Sequence, residues 1–247
     1  MTYMIVGASS GLGKDLAHEF ASNNKNLILI SRDKTDLEYL KSDIILKHKV
    51  DVKILPADLS SIDDVENFLR SNEKTFNSLD GLLFPIALMT EKDKVLASSL
   101  ESKKIIYSNF YSITLLINNT LSINKNKKNI TIVGFGSISA SIGRHVNTFY
   151  SAAKNALETY FESLIITTLN ENINVQFYTL GYLDTGLSFE KKLILPKGST
   201  KKLAKIVFSN LNISGGKFYF PFWWKPISLA INILPFSIVK LIVKRFN

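Results

Sequence analysis

Short apolar runs alternate with longer segments of helical period along most of this chain. The runs, four to eight residues long, predict buried strands at Thr2–Val6, Leu27–Ile30, Val52–Leu55, Leu79–Ile86, Ile130–Val133, Asn174–Leu180 and Lys217–Phe220. The segments between them carry apolar residues at helical spacing, and they predict helices at Lys14–Asn23, Asp36–Lys49, Ser61–Asn72, Ser99–Asn119, Phe149–Asn170 and Thr200–Asn210. This alternation indicates an α/β fold with a doubly wound parallel sheet.

The composition limits the classes of protein to consider. The 247 residues are 46% apolar and 21% charged, as in an ordinary globular protein. We expect one domain over residues 1–220 and an extension over 221–247, since no linker or repeat divides the chain. Without cysteine, and with His18, His48 and His145 far apart, no metal site is expected. The first strand begins too early for a signal peptide, which favours a cytoplasmic location.

A glycine-rich turn follows the first strand. It reads Gly7-Ala-Ser-Ser-Gly11-Leu-Gly13 and leads directly into a predicted helix. Glycine permits a tight turn and close backbone approach, and a helix N-terminus attracts a pyrophosphate. Ligands of such sheets bind at the carboxyl ends of the strands. This turn, Arg32, Asp58, Ser137 and Gly181 all fall there, which predicts a nucleotide-binding cleft.

A serine, a tyrosine and a lysine near the middle of the chain can form a proton-transfer site. Tyr150 and Lys154 are one helical turn apart and share a helix face, while Ser137 follows the fifth strand. A nearby ammonium favours the phenolate and lowers the pKa of a tyrosine, which suits acid–base chemistry. The alternative is an unremarkable tyrosine and lysine on a surface helix.

Taken together, these segments resemble the short-chain dehydrogenase/reductase family over residues 2–190. The glycine spacing, Asp58 and the pair Asp184-Thr185 match its cofactor contacts, and four residues match its catalytic tetrad: Asn109, Ser137, Tyr150 and Lys154. The resemblance implies a Rossmann fold, a carbonyl-reducing enzyme, and dimers or tetramers through the Ser99–Asn119 and Tyr150–Asn170 helices. It implies cofactor contacts at Gly7, Ser9, Ser10, Gly11, Leu12, Gly13, Arg32, Asp58, Leu59, Tyr150, Lys154 and Thr185.

The family assigns a role to each tetrad residue. Tyr150 would be the general acid in reduction, and Ser137 would orient the carbonyl oxygen. Lys154 would lower the pKa of the tyrosine and hold the nicotinamide ribose. Asn109 would hold open a helix kink and support a proton-relay water; otherwise it is a mid-helix residue facing solvent.

Residues after the second strand bear on the choice of cofactor. An arginine there accommodates the 2′-phosphate of NADP, whereas an acid would bind the ribose hydroxyls of NAD. Arg32 therefore favours NADP(H), with Ser31 and Lys14 as further candidates for the phosphate. Asp33 leaves NAD(H) open, because it would engage the ribose if the turn shifted by one residue.

Two single positions and one four-residue segment depart from the family pattern. Val6 replaces a threonine, Leu180 replaces a proline, and Phe84-Pro85-Ile86-Ala87 replaces Asn-Asn-Ala-Gly. The third change falls under the cofactor, where mostly backbone is used. Val6 and the Phe84–Ala87 segment support the alternative of a non-catalytic nucleotide-binding relative that acts as a regulator or scaffold, and the intact tetrad argues against it.

The positive charge of the chain is concentrated near its C-terminus. From Glu190 onward there are eleven Lys or Arg and one acid, whereas the first 189 residues have a net charge of −1. Both tryptophans and an apolar segment broken at Pro235 lie there, too short to span a bilayer. This pattern favours a helix lying on an anionic membrane. Packing on the core or on a second subunit is the alternative, and nucleic-acid binding is not expected.

The C-terminus also resembles a subgroup that reduces keto-sugars carried on polyprenyl phosphates at the inner membrane face. Leu234-Pro235, Lys244-Arg245 and Arg144 carry that resemblance. The expected activity is reduction of an amphipathic ketone, such as a lipid-linked keto-sugar, with the variable stretch Gly186–Ser199 closing over it.

Overall fold

Seven parallel strands form a single sheet at the centre of the protein. In this computed structural model the described residues are 1–124, 129–143, 145–169, 171–185, 195–213 and 215–245, with backbone alone for 242–245. The strands are β1 Thr2–Val6, β2 Asn26–Ser31, β3 Val52–Pro56, β4 Gly81–Phe84, β5 Ile130–Ser137, β6 Ile173–Leu180 and β7 Gly216–Phe220. Their spatial order is β3-β2-β1-β4-β5-β6-β7. The predicted doubly wound Rossmann-like sheet is confirmed.

Helices cover both faces of this sheet. They are α1 Gly11–Ser22, α2 Lys34–Lys47, α3 Ile62–Phe76, α4 Ser99–Ile106, α5 Ser112–Ile123, α6 Thr148–Thr167, α7 Thr200–Ser209, α8 Trp224–Ile233 and α9 Phe236–Arg245. Successive side chains of a strand point to opposite faces, so each strand serves two cores. Tyr3 and Ile5 of β1 pack with α1 and α7, while Met4 and Val6 pack with α3, α5 and α6.

Two of the differences between predicted and observed elements bear on the site. The single helix expected over Ser99–Asn119 is α4 and α5 joined by a π-helical turn, Tyr107–Tyr111. Strand β5 runs four residues past the predicted end at Val133, because its pairing with β6 continues to Ser137 opposite Leu180. Gly134 and Gly136 lie in that extension, where a Cβ would come within 2.5 Å and 2.6 Å of the Phe161 and Phe177 rings.

The C-terminal extension begins with a helix that packs on the domain. Trp224 of α8 is 8% exposed and its ring lies 5.7 Å from that of Tyr182. Ser228 is also buried, and its hydroxyl lies 3.1 Å from the Ser141 hydroxyl. Beyond Pro235, α9 leaves Phe236 and Leu241 exposed. Over the part of the chain that is described, no helix combines the length and apolar character that a bilayer crossing requires.

Candidate active site

A cleft of about 690 Å³ opens at the carboxyl ends of the central strands, within the usual size range of cofactor sites. One end is lined by the glycine turn, Arg32 and Asp58, and the other by Ser137 and Tyr150. The fold therefore brings the glycine turn, Arg32 and Asp58 into one cavity with Ser137 and Tyr150.

The glycine turn lies directly under this cleft. Gly7 has φ +94° and Gly11 has φ +51°, values that side chains disfavour. A Cβ at Gly13 would lie 2.0 Å from the Gly7 carbonyl oxygen, and one at Gly11 would lie 3.3 Å from Thr185 Cγ2. Ser10 is the N-cap of α1 without a side-chain capping bond. The turn is thus a cradle beside a helix N-terminus, which fits a pyrophosphate.

The other predicted contacts with an adenosine group lie at the rim. Arg32 and Asp58 are exposed and line the cleft, and Leu59 is buried beneath them. The Asp33 carboxylate caps α2 by accepting a hydrogen bond from the Asp36 amide at 3.0 Å. Asp33 therefore uses one carboxylate oxygen to cap its own helix, and both Arg32 and Asp33 line the cleft.

Ser137 and Tyr150 line the cleft at its other end. Ser137 is the last residue of β5, and its hydroxyl lies 2.8 Å from that of Ser139. Tyr150 is in the first turn of α6 and is buried except for its face toward the cleft. This arrangement places two hydroxyl groups where a carbonyl oxygen could receive a hydrogen bond from one and a proton from the other.

Lys154 lies one turn further along α6 and is 2% exposed. Its Nζ donates to the Ile86 and Phe135 carbonyl oxygens, both at 3.0 Å, and lies 5.9 Å from the centroid of the Tyr150 ring. Burial lowers the pKa of the Lys154 ammonium to about 7, because a low dielectric disfavours the charged form.

Asn109 lies inside the π-helical turn and is completely buried. Its amide nitrogen donates to the Ile105 and Leu88 carbonyl oxygens at 2.9 Å and 2.8 Å. Its amide oxygen accepts from the Leu88 amide at 3.0 Å. A solvent-facing asparagine is therefore excluded. A π-turn leaves a carbonyl without its usual helical partner, and the Asn109 amide binds such a group.

The segment that departs from the family pattern contributes main-chain atoms to the site. Lys154 binds the Ile86 carbonyl and Asn109 binds both main-chain groups of Leu88. Ile86 also closes the space beside Gly7, where a Cβ would lie 2.8 Å from the Ile86 Cα. Since these contacts use the backbone, they do not depend on the replaced side chains.

Sequence reasoning missed Asp93, which lies against the start of α6. Its carboxylate accepts hydrogen bonds from the Phe149 and Tyr150 amides at 2.8 Å and 2.9 Å. Asp93 lies in an irregular segment 57 residues before Tyr150, where no periodicity or motif marks it. Arg144 and residues 186–194 of the predicted substrate loop lie outside the described residues.

The sequence matches the family model described as short chain dehydrogenase over residues 2–193. The chain therefore belongs to the short-chain dehydrogenase family and is an oxidoreductase. It is 27% identical over 244 residues to 11-beta-hydroxysteroid dehydrogenase-like 2 of Arabidopsis thaliana, covering 94% of this chain and 77% of the plant protein.

Two further proteins are similar to this chain. NADP-dependent 3-hydroxy acid dehydrogenase of Schizosaccharomyces pombe is 28% identical over 189 residues, which covers 76% of this chain and 73% of the yeast protein. A short-chain dehydrogenase from Sphingobium yanoikuyae, solved in complex with NADPH, has a TM-score of 0.80. That structure is 21% identical over 93% of this chain and 92% of its own, a likeness that shows the fold.

Proposed function

We propose that the protein is an NADP(H)-dependent reductase that converts a ketone to a secondary alcohol. The observation that carries this proposal is that Ser137 and Tyr150 line the same cleft as the glycine cradle, with the buried Lys154 ammonium 5.9 Å from the Tyr150 ring centroid. A nucleotide held on the cradle would extend toward the two hydroxyl groups.

The residues of the site have distinct roles in this reaction. When bound, NADPH supplies the hydride that adds to the carbonyl carbon. Ser137 donates a hydrogen bond that orients the carbonyl oxygen, and the Tyr150 hydroxyl gives its proton to that oxygen as negative charge develops there. The Lys154 ammonium stabilises the resulting phenolate. Asn109 holds the backbone that Lys154 contacts.

The phosphate-bearing cofactor is favoured by the residues after β2. Arg32 is exposed at the cleft rim, and a guanidinium matches a phosphate in both charge and geometry. The carboxylate of Asp33 accepts a hydrogen bond from the N-terminus of α2, so it has less capacity to bind the ribose hydroxyls of NAD(H). The named cofactors of the yeast and Sphingobium proteins agree with this choice.

The substrate that we propose is an amphipathic ketone, such as a lipid-linked keto-sugar, reached from a membrane surface. Four large apolar side chains of the C-terminal segment are at least 68% exposed: Phe222, Ile233, Phe236 and Leu241. Lys225 and Lys240 are exposed beside them. Apolar and cationic side chains together suit the interface of an anionic bilayer, and we place the enzyme in the cytoplasm at that surface.

The catalytic assignment is tested by two tyrosine variants on the same helix. With NADPH and a panel of ketones, Tyr150→Phe is expected to lose at least about a hundredfold in kcat, because a general acid contributes about 10²–10⁴-fold. Tyr160→Phe is the matched control, since the Tyr160 hydroxyl bonds only to the Asn118 side chain, at 2.8 Å, among the contacts described. Undiminished turnover by Tyr150→Phe, or NADPH binding without turnover of any ketone by the wild type, would contradict the assignment.

A further inference from the structure

The connection between β4 and α4 is bonded to several residues of the site. At its start, the Ile86 carbonyl accepts a hydrogen bond from Lys154, and the Leu88 carbonyl accepts one from Asn109. Further along, Asp93 is 1% exposed and bonds α6 through both carboxylate oxygens. A carboxylate buried this deeply requires strong partners, and the amides of α6 are those partners.

Helix α6 needs an acceptor at this end. The first amides of a helix have no partner within the helix, and a side chain at the N-cap usually supplies one. The N-cap of α6 is Asn147, which has φ +55° and makes no side-chain capping bond. Asp93 substitutes for it from a distant segment, and its negative charge is favourable at the positive end of the helix dipole.

The backbone around Asp93 fixes it in place. The Asn147 amide donates to the Asp93 carbonyl oxygen at 2.8 Å, and Lys94 forms an isolated antiparallel bridge with Val146. Asp93 is thus joined to the start of α6 by main-chain and side-chain bonds. One of the side-chain bonds is made to the amide of Tyr150 itself.

We propose that Asp93 is a positioning residue for Tyr150. By holding the first turn of α6, it sets how far the Tyr150 hydroxyl reaches into the cleft and keeps the phenol beside Lys154. It also joins Tyr150 to the wall of the cleft, because Leu88 and Met89 of the same connection line the cavity. This inference rests on the proposed role of Tyr150 as general acid.

Three variants of the full chain test this inference: Asp93→Asn, Asp93→Ala and the control Ser61→Ala. Asn has one acceptor oxygen, so it keeps one of the two bonds, whereas Ala keeps neither. We expect kcat to fall in Asp93→Asn and to fall about a hundredfold in Asp93→Ala, since a displacement of the Tyr150 hydroxyl by about 1 Å costs about that factor. NADPH affinity should fall much less than kcat, because the glycine cradle, Arg32 and Asp58 are untouched.

Ser61→Ala separates positioning from general stability. The Ser61 hydroxyl caps α3 by accepting from the Asp64 amide at 3.4 Å, away from the catalytic residues. Its loss should lower the unfolding temperature without changing kcat. All rates are measured well below the unfolding temperature of each variant, with active sites counted by NADPH binding.

A second measurement follows Tyr150 without any substrate. Ultraviolet difference absorption, with each variant compared against the same variant carrying Tyr150→Phe, reports ionisation of the Tyr150 hydroxyl. Lys154 and Asp93 are the charged groups that the described contacts place beside Tyr150. Asn and Ala both remove the Asp93 charge, so any difference between them reports position. A phenol displaced from Lys154 ionises at higher pH. The midpoint pH of Tyr150 ionisation should therefore be higher in Asp93→Ala than in Asp93→Asn.

The inference is overturned if Asp93→Ala retains the kcat of Asp93→Asn or of the wild type. It is also overturned if the Tyr150 hydroxyl ionises with the same midpoint in both variants. A parallel loss of kcat and NADPH affinity would overturn it as well, since that indicates general disruption. Activity of Tyr150→Phe would instead refute the proposed function, and the ionisation measurement would still decide whether Asp93 positions the side chain.

Discussion

Lys154 is an ionisable residue that is almost completely buried. It is enclosed by main-chain oxygens and the Tyr150 ring, and burial brings the pKa of its ammonium down from 10.5 to about 7. At pH 7 about half of the molecules therefore keep the proton on Lys154. Two carbonyl acceptors favour the charged form, whose field stabilises a phenolate on Tyr150.

The free energy of unfolding should depend on pH through this lysine. Between the folded pKa of about 7 and the unfolded value of 10.5, the unfolded chain binds more protons, so stability rises with pH. In the cofactor-free protein, we expect the free energy of unfolding of the wild type, relative to that of Lys154→Met, to rise by about 3 kcal/mol from about pH 7 to about pH 9.5. Denaturant titrations at several pH values measure it.

Lys201→Met is the control for that experiment. Lys201 is an exposed lysine of α7, so its replacement should leave the pH dependence of stability unchanged. A constant difference between wild type and Lys154→Met across the same range would show that Lys154 keeps its proton in the folded protein.

At the scale of elements, α8 is the part of the C-terminal extension that belongs to the domain. The Trp224 indole lies over Gly181, where a Cβ would come within 1.9 Å of Trp224 Nε1. Ser228 reaches Ser141, four residues after Ser137 in the chain. The helix therefore braces two segments that follow β5 and β6.

Replacing Trp224 should destabilise the protein more than replacing its neighbour. Removing a buried tryptophan side chain costs about 3–5 kcal/mol, and Trp224 is 8% exposed. Trp223 is only partly buried, so Trp223→Ala should cost clearly less than Trp224→Ala. Urea unfolding of both variants gives the comparison. Equal losses would mean that α8 is not held by Trp224.

At the scale of the whole molecule, charge and apolar exposure coincide in one region. The body of the chain is nearly neutral, whereas the segment from Glu190 carries a net charge of +10. Exposed apolar residues of α9 lie in that segment. The expected dimer or tetramer through α4, α5 and α6 stays a prediction. The proposed contact of α8 and α9 with a membrane can be tested separately from it.

Vesicle binding should depend on the exposed apolar residues of α9. We expect the full chain to co-sediment with vesicles containing phosphatidylglycerol, and less so with neutral vesicles or at high salt, because basic side chains contribute about 1 kcal/mol each near an anionic surface. The double variant Phe236→Asp, Leu241→Asp should lose binding. This pair leaves the packed residues of α8 in place.

The control carries the same charges elsewhere. Tyr39 and Leu46 of α2 are 72% and 85% exposed, and Tyr39→Asp with Leu46→Asp should leave binding nearly unchanged. Sedimentation that is equal for both double variants, or absent for the wild type with anionic vesicles, would exclude α9 as a membrane contact.

Local patterns in the sequence predicted the doubly wound parallel sheet and the elements that carry the glycine turn, Ser137, Tyr150 and Lys154. Strand and helix periods, turn glycines and the spacing of Tyr150 and Lys154 act over a few residues, so they can be read directly. The resemblance to the short-chain dehydrogenase family rested on the same short segments, and the family model confirmed it.

Tertiary structure alone decided how those residues are held. Asp93 meets α6 across 57 residues, and Lys154 and Asn109 bind main-chain atoms of Ile86 and Leu88. Every residue has the same main-chain groups, so such contacts leave no trace in the amino-acid types. The burial of Trp224 likewise depends on what packs beside it, because burial is a property of the folded chain.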